Sequence, residues 1–275
     1  MRFVAFVLLV TSTALAAPPS PEATARKVLD GQIAAVRAND ATRRALYDKD
    51  ALLLGSDSHT RVADQAEGYV DLIKTFGSIQ VDRMKIDSLV AGGDENVVWL
   101  TAGLTTYLSG AAEGVGPVKS TGKPRVSQVA VPSDKGWKVV ASIVDDGNPL
   151  SPGRDEMQPL GGATATGPLA PLLASPKELA AALSTDPHTF VLGSDKTERA
   201  IGPAAAKKLL ASWSKLSLSL EGKVREVETK TYAFAQAHVK WTKGKTIYWM
   251  EAMLVAVPGP GGTWKVVGVH YANVY

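Results

Sequence analysis

The feature that most constrains this chain is a passage that occurs twice. Leu53-Leu54-Gly55-Ser56-Asp57 returns as Val191-Leu192-Gly193-Ser194-Asp195, and Arg61 returns as Arg199. Each passage leads into a helix-like stretch that ends near Phe76 or Trp213. A second echo closes each unit. Val129-Ala130-Val131-Pro132 is followed by Trp137-Lys138-Val139-Val140, and Val255-Ala256-Val257-Pro258 by Trp264-Lys265-Val266-Val267. Similar segments in the same order, a domain's length apart, predict a duplicated domain rather than a short-period solenoid. A chain of 275 residues has room for two such domains, each large enough to bury its own core.

Within each unit the residues predict helices first and strands afterwards. Pro21 to Ala38 carries Ala25, Val28, Leu29, Ile33 and Val36 at spacings of three and four behind Pro18, Pro19 and Pro21, the mark of an amphipathic helix. A shorter helix over Ala41 to Tyr47, a strand over Ala51 to Leu54 and a helix capped by Asp64 and reaching Phe76 are expected next. Four strands follow, Ser78 to Val90, Val97 to Leu108, Arg125 to Val131 and Trp137 to Val144, with Ser109 to Gly122 expected as a Gly-rich loop. Residues 22–147 thus form a first domain and 148–175, rich in Pro and Gly, an exposed linker. A second domain, 176–275, opens with a shortened helix over Pro176 to Leu183. Its strands are Leu216 to Val227, Tyr232 to Trp241, Thr246 to Val257 and Trp264 to Tyr271. Helices followed by a run of antiparallel strands predict an α+β fold.

The ends and the charge narrow the setting. Residues 1–16 read as an export signal: Arg2, an apolar run from Phe3 to Val10, then Ala14-Leu15-Ala16 as a small-x-small cleavage pattern. That run is far short of the ~20 apolar residues that span a bilayer. No later segment is more apolar, so a periplasmic or extracellular protein without a membrane span is expected. The chain has no cysteine, which excludes disulfides, thiolate catalysis and Cys-zinc sites. A net charge of +3, without a basic stripe carrying interleaved aromatics, gives no reason to expect a nucleic-acid partner.

The stretch Leu192-Gly193-Ser194-Asp195-Lys196-Thr197-Glu198-Arg199-Ala200-Ile201-Gly202 resembles the "lGTD-x-x-E-R-x-x-G" passage of the NTF2-like, or SnoaL-like (DUF4440-type), superfamily. The first copy is looser: Gly55, Ser56, Asp57 and Arg61 are kept, with Thr60 and Asp64 where Glu198 and Gly202 stand. The resemblance implies two tandem cone domains, each with N-terminal helices packed on a curved antiparallel sheet around a hollow. Related single domains pair through their sheets, so it also implies that domain 1 packs on domain 2 as an intramolecular pseudo-dimer. It leaves activity open, because the fold hosts isomerases, cyclases, dehydratases and plain binding domains. In the repeated passage, Gly55 and Gly193 are expected to take a positive φ and Asp57 and Asp195 to accept backbone N–H groups. Arg61 and Arg199 are expected to fork onto a carboxylate or carbonyls at the helix entry, the alternative being a ligand-binding Asp/Arg pair.

A cone's hollow is the place for a small ligand. Glu251, in phase with Trp249, Met253 and Val255, is the candidate base, and the plain alternative is an exposed or paired Glu at the sheet rim. The repeat sets Glu251 opposite Arg125, so a twofold packing would let the two positions meet. Asp82 is a weaker candidate of the same kind. His270 and Tyr271 stand where the first copy has Ile143 and Val144. Glu251, His270 and Tyr248 form the candidate catalytic set. Trp213, Tyr232, His238, Trp249 and Tyr271 form the candidate surface for a ring-shaped ligand, against core packing as the ordinary reading. The histidines at 59, 188, 238 and 270 lack metal-ligand spacing, so neither a metal nor a cofactor is expected. Three functions are compatible with these residues. The favoured one is a non-catalytic module for a small apolar or aromatic molecule or a partner. The second is an isomerase, cyclase or hydratase working in the second domain, and the third is a purely structural pseudo-dimer that also forms the background of the first.

Overall fold

A computed structural model describes residues 18–38, 45–55, 61–62, 80–112, 116–146 and 167–274. The expected export signal, the passage 56–60 and the helix expected to reach Phe76 lie outside those residues.

The first helix, α1 (Pro21–Ala38), places Glu22 in its first turn and Arg37 in its last, each complementing the helix dipole. Ala25, Val28, Leu29 and Ala35 form its buried stripe. β1 (Tyr47–Gly55) starts earlier than expected, because Tyr47 enters the strand, pairing with Val139, rather than closing a helix. β2 (Arg61–Val62), β3 (Gln80–Gly93), β4 (Val98–Ala112), β5 (Gly116–Gly122), β6 (Arg125–Ser133) and β7 (Gly136–Asp145) complete the first sheet. The loop expected over Ser109 to Gly122 is instead a hairpin, since β5 pairs with the far end of β4 from Thr106 to Ala112. Its small residues hide a backbone ladder that needs no apolar side chains.

The second unit begins with a 3₁₀ turn at Ala170–Ala174 and α2 (Pro176–Ala182). Then come β8 (Phe190–Leu192), β9 (Arg199–Ile201), α3 (Pro203–Ser212), β10 (Ser217–Glu228), β11 (Ala233–Lys243), β12 (Thr246–Pro258) and β13 (Trp264–Asn273). The fold is α+β. The sheets run β2-β1-β7-β6-β4-β3 and β9-β8-β13-β12-β11-β10, the same order strand for strand, with β5 added to the first. Bulges at Val129/Ala130 and Val255/Ala256 fall at the same place in both copies and bend the strands there.

Each sheet buries both faces. On one face of the first, Val98, Leu100, Ala102, Leu104 and Val126 meet Ala25 and Leu29 of α1. On one face of the second, Ala235, Leu254, Val269 and Tyr271 meet Leu179 of α2 and Leu210 of α3. Leu169, Ala170 and Leu173 enter that same core, so the described part of the expected linker, 167–175, packs into the second unit. The other faces share one core, in which Leu52, Trp99, Val129 and Ile143 lie with Phe190, Phe234, Met253 and Val255. Burial on both sides is why β12 reads as an almost unbroken apolar run.

Candidate functional site

The polar residues with chemical capacity gather in the seam between the two sheets. Arg125 opens β6 and Asp145 ends β7, opposite one another in register. Arg125 donates from Nε to Asp145 Oδ1 at 3.0 Å and from Nη2 to Oδ2 at 2.7 Å, a bidentate pair. Its guanidinium also reaches across the seam, donating from Nη2 to the Gly193 carbonyl at 2.6 Å and from Nη1 to that of Asp195 at 3.0 Å. His270 on β13 sets Nε2 against Asp145 Oδ2 and holds Nδ1 2.9 Å from Ser127 Oγ. Ser127 and His270 are 0% exposed and Asp145 2%.

Protonation follows from this geometry. Burial pushes the Asp145 carboxyl up, but His270 and Arg125 outweigh it and hold the group below its ordinary range. Burial pulls His270 down, against the opposing pull of Asp145. At neutral pH the carboxylate can only accept, so the neutral imidazole carries its hydrogen on Nε2, and Nδ1 accepts from the Ser127 hydroxyl.

Ser127, His270 and Asp145 have the connectivity of a nucleophile, base and orienter. A nucleophile, however, needs an approach for substrate and donors for the developing oxyanion. Ser127 has no such approach, being closed between two sheets at 0% exposure, with its imidazole partner supplied by the opposite unit. What the cluster can do is fasten the sheets.

A second fastening lies along the seam. Arg225 on β10 donates from Nη1 to Gln236 Oε1 at 3.0 Å and from Nη2 to the Asp50 carbonyl at 2.7 Å, with its guanidinium 4.9 Å from the Phe234 ring centre. Gln236 donates from Nε2 to the Leu52 carbonyl at 3.0 Å. Glu251 also belongs to the seam-facing side of its strand, in phase with Met253 and Val255 of the shared core, and is 0% exposed. It therefore lies in the interior and not at a rim. His238, opposite it in register, holds Nε2 3.7 Å from Glu251 Oε1, beyond hydrogen-bond length. Arg125, expected to meet Glu251, turns to Asp145 and the 193–195 carbonyls.

The remaining candidates scatter. Alternation along β12 puts Tyr248 on the opposite face from Glu251, where it stacks on Trp241 at 4.7 Å. Trp213 packs edge-on to Tyr271 at 5.6 Å and donates from Nε1 to Glu198 Oε1 at 3.0 Å. The Tyr271 hydroxyl, its pKa raised by burial, donates to the Leu173 carbonyl at 2.8 Å. These two rings are core of the second unit, and the Leu169–Leu173 stretch packs where its hollow would be. Tyr232 stacks on Phe234 at 6.4 Å beside the seam, and Trp249 lies under Lys240 at 5.8 Å, on the same side of β12 as Glu251 but nearer the strand's start. Asp82 accepts from Ser109 Oγ at 2.7 Å on the surface.

In the repeated passage, Asp195 accepts from the Thr197 backbone N–H at 2.7 Å, as expected, and that turn keeps its carboxyl below the ordinary range. Arg199 is exposed on β9. Gly193 lacks the positive φ expected of it and serves to make room. A Cβ there would lie 2.7 Å from both Glu198 Cβ and Trp213 Cζ2. Asp145, Ser127, Arg225 and Gln236 were not among the sequence candidates. Their signal is phase: Ser127 and Val129, Ile143 and Asp145, and Phe234 and Gln236 alternate onto one face.

Among the described residues, no group of three His, Asp or Glu side chains is placed to hold a metal ion. No described helix is long and apolar enough to cross a membrane.

No model of a known protein family matches the sequence, and no curated protein does. Solved structures similar to parts of this chain include a ketosteroid isomerase-like protein from Erwinia carotovora atroseptica. It is 17% identical, with 46% of this chain and 97% of that one covered, and a TM-score of 0.39. An NTF2-like protein from Cytophaga hutchinsonii is 13% identical over 44% of this chain and 93% of its own, at a TM-score of 0.35. Aln2 from a Streptomyces species is 13% identical over 46% and 93%, at 0.38.

Proposed function

We propose that this chain is an exported, non-catalytic binding module in which two copies of a cone domain form an intramolecular pseudo-dimer. The observation that carries the reading is the sealed seam. The Ser–His–Asp arrangement of Ser127, His270 and Asp145 joins the two units and is closed to substrate. Glu251, the candidate base, is buried between the sheets at 0% exposure. The matching strand order supports duplication, and the packing of Leu169, Ala170 and Leu173 argues against the second hollow as a ligand site. A small apolar or aromatic molecule, or a partner, is then bound elsewhere on the pair. The export assignment rests on residues 1–16 alone.

A protease site introduced into 147–166 of the full chain tests the pseudo-dimer. After cleavage the halves are expected to elute together in size-exclusion chromatography and to separate only in denaturant. Halves that part under native conditions refute it.

A further inference from the structure

The β11–β12 hairpin ends in apolar residues that the two cores do not cover. Thr246 to Trp249 come before Met250, the first buried residue of β12, and yet Ile247-Tyr248-Trp249 is an unbroken apolar run. Alternation sends Ile247 and Trp249 to one face and Tyr248 to the other, where Trp241 of β11 stacks on it at 4.7 Å. Ile247 is 42% exposed, one of two large apolar side chains so exposed among the described residues. The other, Tyr107, lies under the Arg83 guanidinium. Trp241, Tyr248 and Trp249 are half-buried. A strand with one wet face keeps its apolar groups on the other, whereas here both faces carry them.

Cations surround these rings. Residues 239–250 hold Lys240, Lys243 and Lys245 and no acid. Lys240 pairs with Glu221 of β10 at 2.6 Å, and Lys243 Nζ lies 5.9 Å from the centre of the Trp241 ring. Lys243 and Lys245 are exposed on either side of Gly244, whose φ of 63° lets the chain turn tightly.

The first copy lacks this tip. Thr106 and Gly122 pair where Trp241 and Tyr248 pair, and Tyr107 and Thr121 pair where Thr242 and Ile247 do. Its hairpin then runs on to Ala112 and Gly116 instead of stopping. The aromatic and cationic tip is thus a property of one copy and not of the fold.

The two apolar faces select the occupant. A folded partner or a stacked sugar covers one face of a hairpin and leaves the other wet. The headgroup layer of a bilayer surrounds a hairpin end on both sides, favours Trp and Tyr, and meets Lys with anionic phosphates. We infer that the β11–β12 tip docks this protein on an anionic phospholipid bilayer. Ile247, Tyr248, Trp249 and Trp241 enter the headgroup layer, and Lys243 and Lys245 meet lipid phosphates. The docking is peripheral and needs no pocket, so it goes beyond the binding-module reading and uses strands of the second unit alone.

Because the chain has no cysteine, Thr246→Cys supplies a single thiol for a polarity-sensitive fluorophore at the tip, and Thr263→Cys supplies one beyond the other end of β12. Each labelled full chain is titrated with vesicles of phosphatidylcholine and phosphatidylglycerol in a three-to-one ratio, with vesicles of phosphatidylcholine alone, and with dextran sulfate. A label reports its own surroundings, so the apolar run from Phe3 to Val10 cannot stand in for the tip. The label at 246 is expected to shift to the blue saturably with the mixed vesicles and far more weakly with the other two, and the label at 263 to stay unmoved. Lys243→Gln and Lys245→Gln, at exposed positions, are each expected to weaken binding roughly fivefold. Ile247→Ser is expected to weaken it roughly two- to fivefold. Circular dichroism checks that each variant is folded. An unmoved label at 246, an equal shift at 263, an equal response to phosphatidylcholine alone, or unchanged binding by both lysine variants overturns the proposal. An equal response to dextran sulfate assigns the lysines to a soluble polyanion and overturns the bilayer. Cleaved halves that part refute the pseudo-dimer and leave this result standing.

Discussion

Asp145→Asn probes the seam at its most polar point. The carboxylate accepts from Arg125 Nε, Arg125 Nη2 and His270 Nε2 while 2% exposed. Asparagine keeps the shape and one acceptor oxygen, but it sets an NH₂ against groups that donate. At best the amide oxygen takes the Oδ2 place and keeps Arg125 Nη2 and His270 Nε2, while the NH₂ opposes Arg125 Nε. Loss of that contact together with the carboxylate's charge matches the ~3–5 kcal/mol typical of breaking one side of a buried ion pair. Arg125 retains the Gly193 and Asp195 carbonyls, so the lower part of that range, about 3 kcal/mol, is expected. Urea unfolding at pH 7.5, read by tryptophan fluorescence and far-ultraviolet circular dichroism, measures it. The two probes should coincide in the parent protein and separate in the variant, because the weakened contact is the one that couples the units. A loss below ~1 kcal/mol with the probes still coincident would show that the cluster is a bystander to seam stability.

Three further outcomes follow from the same contacts. His270 is held below its ordinary 6.5 by burial, so the unfolded chain takes up its proton first and stability should fall as pH drops below about 6.5. Asp145, held below 3.8, adds its own loss only in stronger acid. Urea midpoints from pH 8 to 5 should therefore decline less steeply in His270→Gln, and equal slopes would remove His270 as the cause. Gly193→Ala forces a methyl against Glu198 and Trp213 and should cost about 1–3 kcal/mol in thermal unfolding; an unchanged melting temperature would refute the close approach. Leu173→Ala, at a fully buried position, should cost about 2–5 kcal/mol and leave an apolar cavity that benzene stabilises. Absence of both effects would mean that Leu173 does not fill the second unit.

The repeat made the architecture legible, because echoed strand ends such as Val129-Ala130-Val131-Pro132 and Val255-Ala256-Val257-Pro258 must play the same part twice. The site was harder to read for a physical reason. Period-two alternation groups residues by face, and it correctly placed Glu251 with Met253 and Val255, but both faces of β12 are buried. Nothing in the phase says which face meets the helices and which the other sheet. The substitution of His270 for Ile143 was visible, whereas its partner was not, since Asp145 borders a Gly/Pro-rich stretch and reads as the start of a linker. Contacts between β13 and β7 span 125 residues of chain, and no local pattern encodes them. The β4–β5 hairpin reads as a loop because its paired ends, Ser109 to Ala112 and Gly116 to Gly122, are mostly small residues with little apolar alternation.

The echoes also show what covalent linkage permits. Arg125, Ser127, Ile143 and Asp145 align with Glu251, Met253, His270 and Ala272. The His270–Ser127 contact thus has Ile143 and Met253 as its counterpart across the pair, and those two belong to the shared apolar core. The His270–Ser127 contact is polar, and its counterpart is apolar. A symmetric dimer of separate chains cannot do this, because every residue would appear at both ends. Two first units brought face to face would bury Arg125 and Asp145 twice, with Ile143 where the imidazole is needed. Two second units would confront His270 with Met253 and leave it no carboxylate. Each unit is therefore a poor partner for itself and a good one for its neighbour, a preference built from unmet polar groups as much as from favourable contacts. In the duplication proposed above, copies that share a chain are free to diverge into complementary halves, and the Arg125–Asp145–His270–Ser127 cluster is what such divergence would produce.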